Sequence, residues 1–359
     1  WDDLYGSGSE AAAFGSDFRG WNSSFTDEQI PLEEMMEWRS ATVERIMGLQ
    51  PRRVLEIGAG SGLLLSQIAP QCESYVATDM SAVAIEHLAR SLEQQGIPWR
   101  DRVTLRAQRA NDTETLPRDY FDTIVLNSVV QYFPDRSYLL DVLDEAVDLL
   151  TPGGSLFIGD VRNLSLQGAF QTSVAIARGS MDPNEIRERA HRAMVNEAEL
   201  VLAPDFFTAW AAQRSGVVGL DIRVKRGSFD NELSRYRFDV IVHKGPKPVR
   251  SLATVPVWRW NQCMGIKGLH ARLMSQRPGS IRISEIPCAG LFTDVQVECA
   301  IAEGLPLNDA SRQGANLTEH ATAEQLHRLG EAEGYEVAVT LGPQPGTLDD
   351  VFVSVRDSG

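Results

Sequence analysis

The sequence has few cysteines and few positive charges, and it lacks a long apolar run. Cys72, Cys263, Cys288 and Cys299 are the four cysteines in 359 residues, and they are widely spaced. None forms a C-x-x-C pair, so neither a zinc site nor a disulfide framework is indicated. They read as small buried hydrophobes in a reducing compartment, and the expected location is the cytoplasm. No apolar stretch approaches the roughly 18–20 residues that a membrane helix needs, so no membrane partner is expected. The start, Trp1-Asp2-Asp3-Leu4-Tyr5, lacks a basic n-region, an apolar h-region and an initiator Met. It reads as a piece excised from a longer polypeptide. Lys plus Arg number 34 against 49 Asp plus Glu, a net charge of −15. A surface that acidic repels phosphate backbones and argues against nucleic acid as a partner.

What is present is enough apolar content, 43%, for a sizeable core, in a length that suggests two or three units. Residues 1–50 read as a mostly helical lead-in or lid. Residues 51–245 carry a core in which strands at 53–57, 74–79, 103–107, 121–127 and 155–161 alternate with helices at 61–69, 81–95 and 135–150. Continuous apolar strands separated by helices mean a parallel sheet covered on both faces. A polar helical insert at 163–215 follows, then two more strands at 220–225 and 237–243. The expected class is therefore α/β, Rossmann-like, with a mainly parallel seven-stranded sheet. Past a linker at Gly245-Pro246-Lys247-Pro248, residues 250–359 show a smaller α+β pattern. Its strands fall near 255–260, 281–286, 336–341 and 351–355. Its helices fall near 268–276, 295–303 and 323–332.

The run Val54-Leu55-Glu56-Ile57-Gly58-Ala59-Gly60-Ser61-Gly62 joins the first strand to its helix. A side chain at Gly58 or Gly60 would occupy space that a closely bound ligand needs. Three readings compete: an ordinary tight turn, a dinucleotide site and a methyltransferase loop. The dinucleotide fingerprint G-x-G-x-x-G requires a third glycine where this chain has Leu63. A loop that approaches the methionine and ribose of S-adenosylmethionine meets no such requirement. Asp79, 21 residues after Gly58, ends the second strand, where an acid accepts from both ribose hydroxyls. Capping the next helix is the plain alternative for it. Glu56 lies in a buried strand and needs partners, which loop amides near the cofactor's amino group would supply. Asn127 ends the fourth strand, and ligands in open α/β sheets bind outside the carboxyl ends of strands. Ala59, Gly62, Met80 and Ser128 complete this set of candidate cofactor contacts. Val129, Val130 and Phe133 read as packing. Asp112, after the third strand, is a candidate acceptor from the adenine amino group. Trp21 and Tyr5 are candidate covers, because aromatic faces attract sulfonium-like cations.

These residues resemble the methyltransferase domains of non-ribosomal peptide synthetases. The glycine loop is only class-specific. Gly20-Trp21-Asn22-Ser23-Ser24-Phe25-Thr26 and Asn231-Glu232-Leu233-Ser234-Arg235-Tyr236-Arg237-Phe238-Asp239 are more particular. Asn127 to Pro134, Gly159-Asp160-Val161-Arg162, Asn196-Glu197-Ala198-Glu199-Leu200, Asp205-Phe206-Phe207 and Lys225-Arg226-Gly227 add to the likeness, which covers nearly the whole chain. The resemblance implies a domain in or after an adenylation domain, acting on an aminoacyl or peptidyl thioester tethered to a carrier protein by its phosphopantetheine arm. It implies S-adenosylmethionine as donor, S-adenosylhomocysteine as product, and the α-nitrogen as the usual acceptor. Carbon or oxygen acceptors, or a non-catalytic cofactor-binding module, are the alternatives.

An α-amino group has a pKa of roughly 7.7–8.0, so a neutral fraction exists without a strong base, although a carboxylate could still orient it. Glu197, Asn231 and Tyr236 are the candidate catalytic residues, with Glu199 and Arg235 beside them. The plain alternatives are a solvated helix face for the glutamates and a turn residue for Asn231. His191 reads as a surface residue and His243 as packing. No metal site is expected.

Overall fold

The first strand, β1 (Arg53–Ile57), is buried from Val54 to Ile57, and that burial on both faces places it at the centre of a sheet. The computed structural model describes residues 14–252, 254–315 and 320–354. Around β1 stand β2 (Ser74–Asp79), β3 (Val103–Ala107), β4 (Phe121–Asn127), β5 (Leu150–Arg162), β6 (Val217–Val224) and β7 (Arg237–Lys244). Their order is β3-β2-β1-β4-β5-β7-β6. β1 to β5 pair in parallel, whereas β7 runs antiparallel to β5 and to β6. The expected Rossmann-like, mainly parallel seven-stranded sheet is what is found. Leu55 and Ile57 join one apolar cluster while Val54 joins another, so both faces are covered. The strand order reverses between β1 and β4, which opens a crevice at the carboxyl ends of the strands.

Three expectations need correction. The helix expected at 61–69 is shortened to Leu65–Ile68 plus a turn at Ala69–Gln71, because Gly58, Gly60 and Gly62 all hold positive φ. β5 starts at Leu150 rather than at 155: Pro152-Gly153-Gly154 form an irregularity inside the strand, opposite the shift between Phe121 and Thr123. Among the described residues of the lead-in, the helix is confined to its second half. Residues 14–31 are turns, extended segments and one bridge, Asn22 to Gln29, before the helix Leu32–Met47, and residues 1–13, including Tyr5, lie outside the described residues.

The second sheet contains β8 (Val257–Arg259), β9 (Ser280–Pro287), β10 (Tyr335–Leu341) and β11 (Thr347–Ser354) in the order β10-β11-β9-β8. A helix at Leu307–Ala315 was not expected from the pattern. The two units are packed together. The helix Leu291–Ala302 lies against the insert helices Gln167–Ala177 and Pro183–Val195, burying Leu166, Leu291 and Val295 in one cluster and Ile186, Val297 and Ile301 in another. Among the described residues, no helix is long and apolar enough to cross a membrane.

Candidate active site

A cavity of about 920 Å³ opens at the carboxyl ends of β1, β2 and β4. The glycine loop and Asp79 line one end of it. Residues of the lead-in cross over it, and Gln167, Glu197 and Tyr236 line the other end.

The loop end is built from backbone. The amides of Gly58 and Ala59 both donate to Thr78 O, at 2.8 and 3.0 Å. Asp79 draws the loop onto β2: its Oδ2 accepts from the Gly60 amide and its Oδ1 from the Ser81 amide, each at 2.9 Å. Asp79 does not cap the next helix, whose N-cap is Ser81; it holds the loop and faces the cavity, with Met80 beside it. A Cβ at Gly58 would lie 2.3 Å from Val129 Cγ2, so this glycine is required by Val129 itself. Gly62 is a correction. It does not line the cavity; a Cβ there would lie 2.6 Å from Leu88 Cδ2, so its role is to let the loop close on the helix Ala82–Gln94. Asp112 is a second correction. After β3 the chain turns, with the Asp112 amide donating to Arg109 O, and its side chain is exposed; Gln108, Arg109 and Ala110 line the cavity instead.

Glu56 is buried and accepts from the Tyr75 hydroxyl at 2.8 Å. Burial pushes its carboxyl up to about 8, against the Tyr75 hydrogen bond and with help from the Asp79 charge. Asn127 donates to Ser128 Oγ, while its Oδ1 is buried with no hydrogen-bond partner among the described residues. That oxygen lies over Gly159, where a Cβ would come within 2.1 Å of it.

Under this end lies a charged cluster that sequence reasoning missed. Asp160, fully buried with φ +67, accepts from Trp38 Nε1 at 3.2 Å, from Ser128 Oγ at 2.9 Å and from Arg237. Its amide donates to Asp239 Oδ1, which also lies 2.7 Å from Lys225 Nζ, and Arg45 pairs with Asp239 Oδ2 at 2.5 Å. Burial pushes the Asp160 carboxyl up, but Arg237 and Lys225 outweigh it and hold the group below its ordinary range. The signal was available: Asp160 and Asp239 are acids inside otherwise apolar strands. Trp21 packs tilted against Trp38 with ring centroids 4.7 Å apart, and the Arg237 guanidinium lies 5.9 Å over Trp21. Glu232, also missed, fastens the lead-in across the cavity by accepting from the Ser24 amide at 2.8 Å, Ser24 Oγ at 2.9 Å and Ser23 Oγ at 3.2 Å.

The far end is built from side chains that are already paired. Glu197 accepts from Arg162 at 2.7 Å and from Gln167 at 2.8 Å, and Glu199 accepts from the other arm of Arg162 at 2.7 Å. Burial raises the Glu197 carboxyl, but its bonds to Arg162 more than offset this, so it sits below the ordinary range and is a weak base. Tyr236 lines the wall, and its hydroxyl donates to Asp294 at 2.6 Å. Burial and the Asp294 charge raise its pKa, so it remains a phenol. Asn231 is the third correction. It lies off the cavity and caps the helix Glu232–Arg235, accepting from the amides of Leu233 and Ser234 and donating to Glu34 Oε2. His191 is exposed, and His243 is hydrogen-bonded to Ser155, also off the cavity. Among the described residues no group of acids, histidines and cysteines could hold a metal ion.

Residues 55–156 match the model of a methyltransferase domain family. The chain is 49% identical, over 245 residues and 68% of its length, to a probable nonribosomal peptide synthetase, CymA, of Salinispora arenicola. It is 43% identical over 245 residues to chondramide synthase of Chondromyces crocatus. An alignment with enniatin synthase of Fusarium equiseti takes in 98% of the chain at 32% identity. The chain spans only 3%, 6% and 12% of the length of these three relatives, respectively.

Proposed function

We propose that this chain, an S-adenosylmethionine-dependent methyltransferase domain of the kind carried by non-ribosomal peptide synthetases, methylates the α-amino nitrogen of an aminoacyl or peptidyl thioester held on a carrier protein. The observation that carries this reading is the electrostatics of the far wall. Two of its carboxylates, Glu197 and Glu199, are ion-paired with Arg162, and Glu197 is a weak base. An amine, already partly neutral near pH 7.7–8.0, needs orientation rather than a strong base, whereas a hydroxyl or carbon acid needs one.

At the loop end the residues fit the donor. Gly58, Ala59, Gly60 and Asp79 line this end, which supports a reading in which the loop backbone lies along the donor and Asp79 takes its ribose hydroxyls. Glu56 faces the same end, where a cationic amino group would favour its ionised form. S-adenosylmethionine supplies an electrophilic methyl on a good leaving group, so the protein's share is positioning and exclusion of water. Trp21 and the segment fastened by Glu232 provide the exclusion. Arg162, Gln167 and Glu197 form a polar wall that orients the acceptor. The carrier protein, an adjacent adenylation domain and a cytoplasmic location belong to this same reading.

Mass spectrometry of an aminoacylated carrier protein, incubated with the domain and S-adenosylmethionine, tests it. Fragmentation should place the methyl on the α-nitrogen. A methyl on carbon or oxygen, or tight cofactor binding with no transfer, would overturn it.

A further inference from the structure

The two carboxylates on Arg162 are not equivalent. Glu197 has both oxygens occupied: Oε2 accepts from Arg162 Nη2 at 2.7 Å and from Gln167 Nε2 at 2.8 Å, and Oε1 accepts from the Glu199 amide at 3.1 Å. Glu199 has one oxygen occupied. Its Oε2 accepts from Arg162 Nη1 at 2.7 Å, and its Oε1 has no hydrogen-bond partner among the described residues. Its side chain is 35% exposed, against 16% for Glu197. Backbone fixes where it stands. The Leu200 amide donates to Gln131 O at 2.7 Å and the Leu202 amide to Arg162 O at 3.0 Å, which lays this segment along the carboxyl ends of β4 and β5. The carboxylate itself, and not only its stem, lies among groups of the cavity wall. It is bonded to Arg162. Burial first and then the Glu199 charge raise the Tyr132 hydroxyl, and the same charge acts on Arg237 after those of Asp160 and Glu232. Arg162, Tyr132, Arg237 and Glu199 all line the cavity.

Two carboxylates share one guanidinium, so this part of the wall holds one negative charge in excess. A carboxylate oxygen can only accept, and a neutral primary amine has N–H groups to give it. The amine gains a positive charge as it takes a methyl: the N–C bond forms, the methyl–sulfur bond breaks, the sulfur keeps the pair, and the extra proton passes to water afterwards. A fixed negative charge beside that nitrogen counts most in the transition state, where the positive charge develops. We propose that the open oxygen of Glu199 accepts an N–H of the acceptor amine and stands beside the charge that this nitrogen gains. Glu197 is then the brace, holding Arg162 and the Glu199 backbone in place. This rests on the reading that the acceptor is an amine. The competing view is that Glu199 only balances the charge of Arg162.

The test uses the whole chain, wild type against Glu199→Gln, saturated with S-adenosylhomocysteine. For an amino acid that the wild type methylates on its carrier protein, the aminoacyl pantetheine amide is compared with its counterpart lacking the α-amino group. Wild type should bind the amino compound about tenfold more tightly, and the variant should bind the two within about twofold of each other. With aminoacyl-carrier protein the variant's kcat should fall roughly thirtyfold, while affinity for S-adenosylhomocysteine stays within about twofold. A preference for the amino compound that persists in the variant, or that is absent from wild type, would overturn the proposal. So would a lowered Tm with unchanged kcat. If Glu199→Gln fails to fold, Glu199→Asp keeps a charge for Arg162 and draws the carboxylate back by one bond. It should lose most of the preference, and keeping it in full is again the overturning result. The atom methylated by the wild type reports separately on whether the acceptor is an amine.

Discussion

The two ends of the cavity are built on opposite plans. At the loop end, backbone does most of the work, and the loop with the carboxylate that holds it comes from one contiguous strand–loop–strand unit. The amides of Gly58, Ala59 and Gly60 are pinned to Thr78 and Asp79 of the neighbouring strand. At the far end, side chains from three separate stretches meet: Arg162 from β5, Glu197 from the insert, and Tyr236, backed by Asp294 from the C-terminal unit. A donor shared by a whole class of enzymes can be held by a local motif. An acceptor must be met by parts brought together from far along the chain, and each of those parts is already neutralised by a partner.

The sharpest way to break the comparison is to remove the carboxylate that organises the loop end. Asp79→Ala deletes both amide bonds and the expected ribose contact. Hydrogen bonds to charged groups contribute roughly 1.5–3 kcal/mol each, so affinity for S-adenosylmethionine should fall roughly thousandfold, on the order of 4 kcal/mol. Calorimetry measures it; unchanged affinity would remove Asp79 from the donor end.

Next comes Glu56, which tests whether the loop end stores a protonated acid. Its folded pKa of about 8 stands above the ordinary 4.5, so the folded chain holds a proton that the unfolded chain has released. Stability is then full below pH 4.5 and declines as pH rises towards 8. His327 opposes this: burial lowers its pKa to about 4, so its contribution grows as pH rises from there to its ordinary 6.5. The difference between wild type and Glu56→Gln isolates the acid. Between pH 5 and 8 the cofactor-free variant should gain on the order of 3 kcal/mol relative to wild type in denaturant titrations. Parallel pH curves would mean that Glu56 is ionised in the folded protein.

The contrast between the ends also explains what could be read from the amino acids. β1 to β4 were placed to the residue, because apolar runs bounded by Gly, Pro and polar clusters are local signals. Part of the lining of the loop end was legible for the same reason, but Gly62 faces the helix Ala82–Gln94 and the Asp112 side chain is exposed, and no periodicity encodes either direction. At the far end Glu197 and Tyr236 were found through resemblance, but their partners were not. Nothing local says that Asp294, 58 residues beyond Tyr236, meets its hydroxyl. The buried charges of Asp160 and Asp239 were visible as acids in apolar strands, yet their pairing depends on β5, β6 and β7 lying side by side, with β6 outermost.

A smaller effect is expected from Glu197→Gln. The amide keeps the shape and can still accept from Gln167, but Arg162 loses one of its two carboxylate partners. Turnover of the acceptor should fall about tenfold while cofactor affinity stays within about twofold. Because Glu197 is held ionised, the rising limb of the kcat/KM–pH profile should sit near the acceptor amine in both proteins. A limb that disappears in the variant would make Glu197 the base after all.

The smallest effect should come from Asn231, which the sequence places among the chemistry and the structure places in a helix cap. Its Oδ1 accepts from Leu233 N and Ser234 N, while Ser234 Oγ accepts from the Asn231 amide at 3.0 Å, closing a capping box. Its Nδ2 donates to Glu34 at 2.6 Å, which ties the cap to the helix Leu32–Met47. Loss of a cap costs about 1 kcal/mol. Asn231→Ala should therefore lower Tm by a few degrees and leave kcat and cofactor affinity within about twofold. Asn231→Asp keeps the capping oxygens but sets a second carboxylate against Glu34, so it should recover the cap and lose the tie. A large fall in kcat for the alanine variant, with Tm unchanged, would return Asn231 to the catalytic set. It would also mean that the far end extends past the cavity wall to the N-cap of the short helix that carries Glu232 and Arg235.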